Sequence, residues 1–127
     1  METSLPTCSK PTEKTINEWF NVAPVADFPN EGGVAVLCKG QQLAVFHFAE
    51  KGEWYASQNL CPHKMEMALS RGIIGDAEGE PKVSCPFHKK NFSLSTGQCL
   101  NDDSYHIEIY PVKVENGFVY VGIPDGF

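Results

Sequence analysis

Val34-Ala35-Val36-Leu37-Cys38-Lys39-Gly40-Gln41-Gln42-Leu43-Ala44-Val45-Phe46-His47-Phe48 is the run on which the fold class turns. Its two ends are rich in β-branched and apolar residues, and they flank the polar connector Lys39-Gly40-Gln41-Gln42. Two such stretches joined by a short glycine-containing link read as a β-hairpin. The same pattern recurs near the C-terminus, where Val112-Lys113-Val114 and Phe118-Val119-Tyr120-Val121 are separated by Glu115-Asn116-Gly117. Asn-Gly is the strongest short hairpin signal, because both residues tolerate positive φ. Tyr105, Ile107 and Ile109 alternate with His106, Glu108 and Tyr110, which predicts a strand with one buried face. Trp19 to Val22 and Trp54 to Ser57 are further strands by the same criterion. Helix is scarce: only Thr15 to Phe20 and Met65 to Ser70 suit short helical turns, and neither is long enough to be stable alone. The expected architecture is a small all-β, antiparallel sandwich or barrel.

With 127 residues, 42% hydrophobic and 20% charged, the chain has the size and composition of one globular domain, residues 1–127. Only the first dozen or so residues lack any apolar period and are expected to be flexible. A net charge of -6 disfavours nucleic acid as a partner, since phosphate binding relies on Lys and Arg releasing counterions. No basic stretch leads into an apolar core of the signal-peptide kind, and no apolar run approaches the ~18 residues a membrane helix needs. Five cysteines, odd in number and irregularly spaced, suit a reducing compartment and metal ligation better than a disulfide framework. A cytoplasmic location is the expectation.

The period of two breaks around Cys61 to Leu69 and again around Cys85 to Thr96, and the stretch Arg71 to Pro81 between them is rich in Gly and acidic residues. Irregular loops are where chemistry concentrates. Here they carry Cys61-Pro62-His63 and Cys85-Pro86-Phe87-His88, with 21 residues between His63 and Cys85. Each loop offers one soft thiolate and one imidazole. Donor type alone leaves two centres open, a tetrahedral zinc or a two-iron cluster in which histidines replace two thiolates on one iron. The order of the donors favours the second, because zinc fingers pair Cys with Cys and His with His, whereas each loop here can give one donor to each iron. Proline after each cysteine fixes φ and removes one amide donor beside the sulfur.

These two stretches resemble the Rieske motif of ferredoxin-like Rieske domains. The run from Asn59 to Leu100, through Asn59-Leu60-Cys61-Pro62-His63, Arg71-Gly72-Ile73-Ile74-Gly75-Asp76, Cys85-Pro86-Phe87-His88-Lys89-Lys90-Asn91-Phe92 and Thr96-Gly97, is most similar to the small subunit of assimilatory NAD(P)H nitrite reductase. The likeness extends over nearly the whole chain. It implies a β-sandwich base with a smaller cluster-binding lobe over roughly residues 59–97. It also implies one 2Fe-2S cluster with Cys61 and Cys85 on the inner iron and His63 and His88 on the outer. Many members of that subfamily lack the ligands, and this sequence keeps all four. The implied partner is a large subunit carrying flavin, a 4Fe-4S cluster and siroheme, which reduces nitrite to ammonium with electrons from NADH or NADPH. Relative to high-potential Rieske proteins, Glu66 and Phe87 stand where extra cysteines would form a disulfide, and Lys90 and Phe92 stand where Ser and Tyr hydroxyls would donate to the sulfurs. A potential at the low end of the Rieske range is expected.

Lys64, Lys89 and Lys90 adjoin the ligand histidines and read equally as a steering patch or as a solvated loop surface. Cys38 and Cys99 are read as core residues, and Cys8 has no Cys or His at ligand spacing. His47 and His106 are read as structural, and Met65 and Met67 as adaptable packing. No dinucleotide or phosphate-binding loop and no four-cysteine set for siroheme accompany the motif, so a second protein must supply the chemistry. Two other readings use the same four residues, a structural zinc module and a free Rieske ferredoxin serving an oxygenase.

Overall fold

The structure is a computed structural model that describes residues 16–62, 65–86, 90–101 and 104–124. Of the described residues 62% are strand and 6% helix, so the all-β expectation holds. Among the described residues twelve strands run in order: β1 Ile16–Pro24, β2 Glu31–Cys38, β3 Gln41–Phe48, β4 Glu53–Gln58, β5 Leu60–Cys61, β6 Glu66–Met67, β7 Ile73–Ala77, β8 Glu80–Ser84, β9 Asn91–Ser93, β10 Ile109–Tyr110, β11 Val112–Glu115 and β12 Phe118–Pro124. They form sheets in the orders β1-β12-β11, β10-β4-β3-β2, β5-β6 and β7-β8-β9, every pairing antiparallel. No helix among the described residues is long and apolar enough to cross a membrane.

The opening hairpin is β2-β3, with Cys38 opposite Gln41 and only Lys39-Gly40 as its loop. Successive side chains of a strand point to opposite faces, so an unbroken apolar run buries both. In β3, Leu43 and Val45 pack into one core with Phe28, Cys38, Ala56, Val119, Val121 and Ile123. Ala44, Phe46 and Phe48 pack into a second core with Cys61, Leu69, Val83, Cys85, Phe92, Leu94, Cys99 and Ile107. The central sheet β10-β4-β3-β2 is thus covered by the terminal sheet on one face and by the lobe of β5 to β9 on the other.

Several local expectations are corrected. Thr15 lies outside the described residues, but from Ile16 the chain is extended and pairs with β12 rather than turning as a helix. Of Met65 to Ser70, only the end is helical, in a single 3-10 turn at Leu69–Arg71, and Glu66–Met67 is strand. The Gly-rich stretch Arg71 to Pro81, given no element above, belongs for the most part to the hairpin β7-β8, whose two-residue link Glu78-Gly79 takes φ of 53° and 91°. Both link residues at positive φ match the right-handed twist of the flanking strands.

The strand predicted over Tyr105 to Tyr110 keeps its alternation, with Ile107 fully buried and His106 exposed, yet only Ile109–Tyr110 joins a sheet. The reason is where its hydrogen bonds go. Cys99 N–H donates to Tyr105 O at 3.2 Å and Ile107 N–H to Gly97 O at 2.8 Å, both in the lobe, whereas Gln58 N–H donates to Glu108 O at 3.1 Å in the base. The segment crosses between layers instead of following one ladder.

Candidate metal centre

The first ligand loop leaves β4 at Gln58 and is closed mainly by one residue. The Asn59 carbonyl accepts from Ala68 N–H at 3.0 Å and Leu69 N–H at 3.1 Å, and Asn59 Oδ1 accepts from Ser70 N–H at 2.8 Å. Within this closure Cys61 pairs with Glu66 across the two-residue strands β5 and β6. Met65, at φ 56°, donates its N–H to Cys61 O at 2.6 Å, which turns the chain back sharply behind the cysteine. A non-glycine residue in the left-handed region stores local strain, typically at functional loops.

The second loop leaves β8 at Ser84 and returns into β9 at Asn91. Cys85 N–H donates to Lys90 O at 2.9 Å, closing the loop at its neck. Asn91 Oδ1 accepts from Ser84 Oγ and, at 3.0 Å, from Lys82 Nζ, while Asn91 N–H donates to Asn101 Oδ1 at 2.6 Å. The two loops meet at Gly72, just after the 3-10 turn. A Cβ there would fall on the Ser84 carbonyl oxygen and lie 2.8 Å from Val83 Cγ2. Only a residue without a side chain allows the end of the first loop to lie against the strand that presents Cys85.

The structure brings Cys61 and Cys85 into one apolar cluster, each with 0% of its surface exposed. His63 and His88 lie outside the described residues, as do Lys64, Phe87 and Lys89. Two sulfur donors shut away from solvent, each near the start of a tied loop, fit ligation of a thiophilic metal centre, whose positive charge compensates the sulfurs bound to it. None of Cys38, Cys61, Cys85 and Cys99 forms a disulfide among the described residues.

The remaining cysteines, histidines and methionines sort by burial. Cys38 is fully buried in the opposite core, where burial pushes its thiol up to about 11, so it stays protonated at neutral pH. Cys99 fills the same core as Cys61 and Cys85, bridged to Phe92. His47 stacks on Trp54 at 3.9 Å between ring centroids and has Nδ1 3.0 Å from Pro29 O, a structural role. His106 is exposed and bridges Gln98. Met65 and Met67 are 68% and 47% exposed, which corrects their reading as packing residues. Cys8 lies outside the described residues. Sequence reasoning missed Asn59, Gly72 and Asn91 as the residues that tie the loops. Each is polar or small, as a loop residue usually is, and carries no local mark of its role.

The model of the Rieske-like [2Fe-2S] domain family matches residues 18–122. The chain is 41% identical over 122 residues to the nitrite reductase [NAD(P)H] of Emericella nidulans, a match that takes in 85% of this chain and 11% of that protein. It thus spans only about a tenth of that relative. It is 32% identical over 104 residues to the nitrite reductase (NADH) small subunit of Salmonella typhimurium, covering 82% of this chain and 96% of the relative. Among solved structures, a putative NADH-dependent nitrite reductase small subunit from Mycobacterium tuberculosis superposes with a TM-score of 0.78 at 32% identity, over 84% of this chain and 96% of the other. The cofactor that goes with this family is a 2Fe-2S cluster, which decides between the two centres that the donor types left open. From its buried cysteine pair to the span of the matching model, the chain belongs to the Rieske-like 2Fe-2S domain family, with nitrite reductase small subunits among its homologues.

Proposed function

We propose that Cys61, His63, Cys85 and His88 hold one 2Fe-2S cluster and that the chain transfers single electrons as the small subunit of an NAD(P)H-dependent nitrite reductase. The observation that carries this reading is the complete burial of Cys61 and Cys85 in one apolar core. When bound, the cluster supplies a reversible one-electron couple; the protein supplies the donors and their surroundings. Cys61 and Cys85 serve as the inner pair, kept from water by Leu69, Val83 and Phe92. His63 and His88 follow them by motif spacing as the outer pair.

Residues 1–127 act as one domain, and residues 59–97 form its cluster-binding lobe. The partner is a large subunit with flavin, a 4Fe-4S cluster and siroheme, which reduces nitrite to ammonium in the cytoplasm. This is supported by relatives in which a matching segment is one part of a longer nitrite reductase. The chain contributes electron relay to that assembly and no nitrite chemistry of its own.

Two measurements test the proposal. Anaerobic reconstitution with iron and sulfide should give visible absorption and, after reduction, a paramagnetic signal, both lost in Cys61→Ser and His88→Ala; a colourless zinc protein would overturn the ligand assignment. Affinity capture of the tagged chain from nitrate-grown cells should bring down a siroheme protein. Recovery of an oxygenase instead would overturn the nitrite reductase role and leave a free ferredoxin.

A further inference from the structure

We infer that Asn59 is the positioning residue of the first ligand loop, holding Cys61 in place from two residues upstream; the inference rests on the ligand assignment proposed above. Asn59 is 1% exposed, and its backbone and side chain bind two different parts of the fold. Toward the central sheet, its N–H donates to Gln42 O at 3.3 Å and its Nδ2 donates to Gln42 Oε1 at 2.9 Å. Toward the end of the loop, its carbonyl accepts from Ala68 and Leu69 N–H, and its Oδ1 accepts from Ser70 N–H at 2.8 Å.

The entry and exit of the loop are therefore fastened to a single residue. They cannot separate without breaking three hydrogen bonds at once, nor slide along the sheet without losing Gln42. The ladder inside the loop is short, β5 and β6 being two residues each, with Leu60 opposite Met67 and Cys61 opposite Glu66; the Gln58 Nε2 bond to Leu60 O at 2.8 Å and the Met65 N–H bond to Cys61 O at 2.6 Å tie the start of the loop but not its exit at Ala68 to Ser70. A ladder that short specifies register weakly. A side-chain amide answers both needs because it presents a donor and an acceptor on one rigid plane. Without it, the Ser70 N–H, on a residue only 8% exposed, loses its partner.

The test uses the reconstituted full-length chain and follows loss of visible absorption to an iron chelator, together with the spectrum of the reduced protein. Removing a group that orients a metal ligand typically weakens the metal about 10- to 100-fold. Asn59→Leu, close in size and without polar atoms, should release iron faster by that factor and show an altered reduced-state spectrum. Asn59→Asp, which keeps Oδ1 for Ser70 and leaves Gln42 able to turn its own amide donor inward, should recover most of the difference. A residue that served the fold alone would lower the unfolding temperature while leaving the spectrum and release rate of the folded fraction unchanged. If Asn59→Leu folds and releases iron at the wild-type rate, the inference is overturned. If it does not fold, Gln42→Ala decides, since it removes only the contact to Nδ2 on an exposed residue: faster release supports the inference, and a wild-type rate overturns it. Failure of the wild-type chain itself to take up iron and sulfide would refute the ligand assignment instead.

Discussion

Replacing Gly72 by alanine isolates the contact between the two ligand loops. The backbone at Gly72, φ -75° and ψ 169°, is open to any residue, so conformational strain is not at issue. Space is. The added methyl would overlap the Ser84 carbonyl oxygen, crowd Val83 Cγ2 at 2.8 Å and approach Leu69 O at 3.1 Å. Two of these three atoms are backbone and cannot rotate away, so the 3-10 turn must move off β8 and take its hydrogen bond from Gly72 N–H to Leu69 O with it. Overpacking of this kind costs about 1–3 kcal/mol, and an obstacle made of backbone puts Gly72→Ala toward the upper end. For a domain of this size that corresponds to a fall in Tm on the order of 10 °C. Because Ser84 directly precedes Cys85, cluster loading should fall as well. Gly79→Ala is the matched control: its Cβ meets nothing within 4 Å, but its φ of +91° makes alanine strained. It should cost about 1 kcal/mol and leave cluster content unchanged. The assay is thermal unfolding by circular dichroism with iron content per chain. An unchanged Tm and full loading in Gly72→Ala would refute the claim that the loops meet there by close backbone contact.

Two further outcomes follow from the same geometry. Burial raises the Cys38 thiol from 9.0 to about 11, so folding favours the protonated form; the resulting stability is complete below the unfolded value and is lost as pH climbs through the folded one. Cys38 should therefore lower the unfolding free energy by about 2 kcal/mol between pH 9 and 11, in addition to the falls from Tyr55 and Tyr110, whose phenols burial raises to about 12, so the stability difference between Cys38→Val and wild type should shift by that amount across the window in denaturant titrations. Glu66 is exposed and opposite Cys61, and Phe92 is fully buried and apolar; by the Rieske resemblance they stand where high-potential members would place a disulfide cysteine and a hydroxyl donor. Voltammetry at neutral pH should give a midpoint in the lower part of the roughly -150 to +300 mV Rieske range, and a value well above 0 mV would contradict this.

How much was legible depended on the range of the forces involved. The hairpins at Lys39-Gly40 and Asn116-Gly117 were readable because turn geometry is settled by the two residues that adopt it. The hairpin of β7 and β8 was not, because Gly and acidic residues between two motifs look the same whether they fill a loop or a twisted ribbon. Its apolar contribution comes mainly from Val83 and the half-buried Ile74 packed against the lobe core. The segment before Ile109 shows the converse case. Its alternation correctly marked a buried face, but periodicity reports which side chains are hidden and says nothing about which carbonyls the backbone finds.

For the site, the four proposed donors and their spacing are visible in the sequence, since ligand chemistry resides in residue type and order. Residue order alone determined that much, together with the all-β class and the punctuation of its turns. Only the tertiary structure decided that β3 would be buried on both faces, that Cys61 and Cys85 would share one dry core, and that Asn59 would reach Gln42, 17 residues earlier, and Ser70, 11 residues later. Turn conformations and donor identities are properties of a few adjacent residues. Burial and long-range hydrogen bonds come into being only when distant segments have closed on one another and water has been expelled from between them.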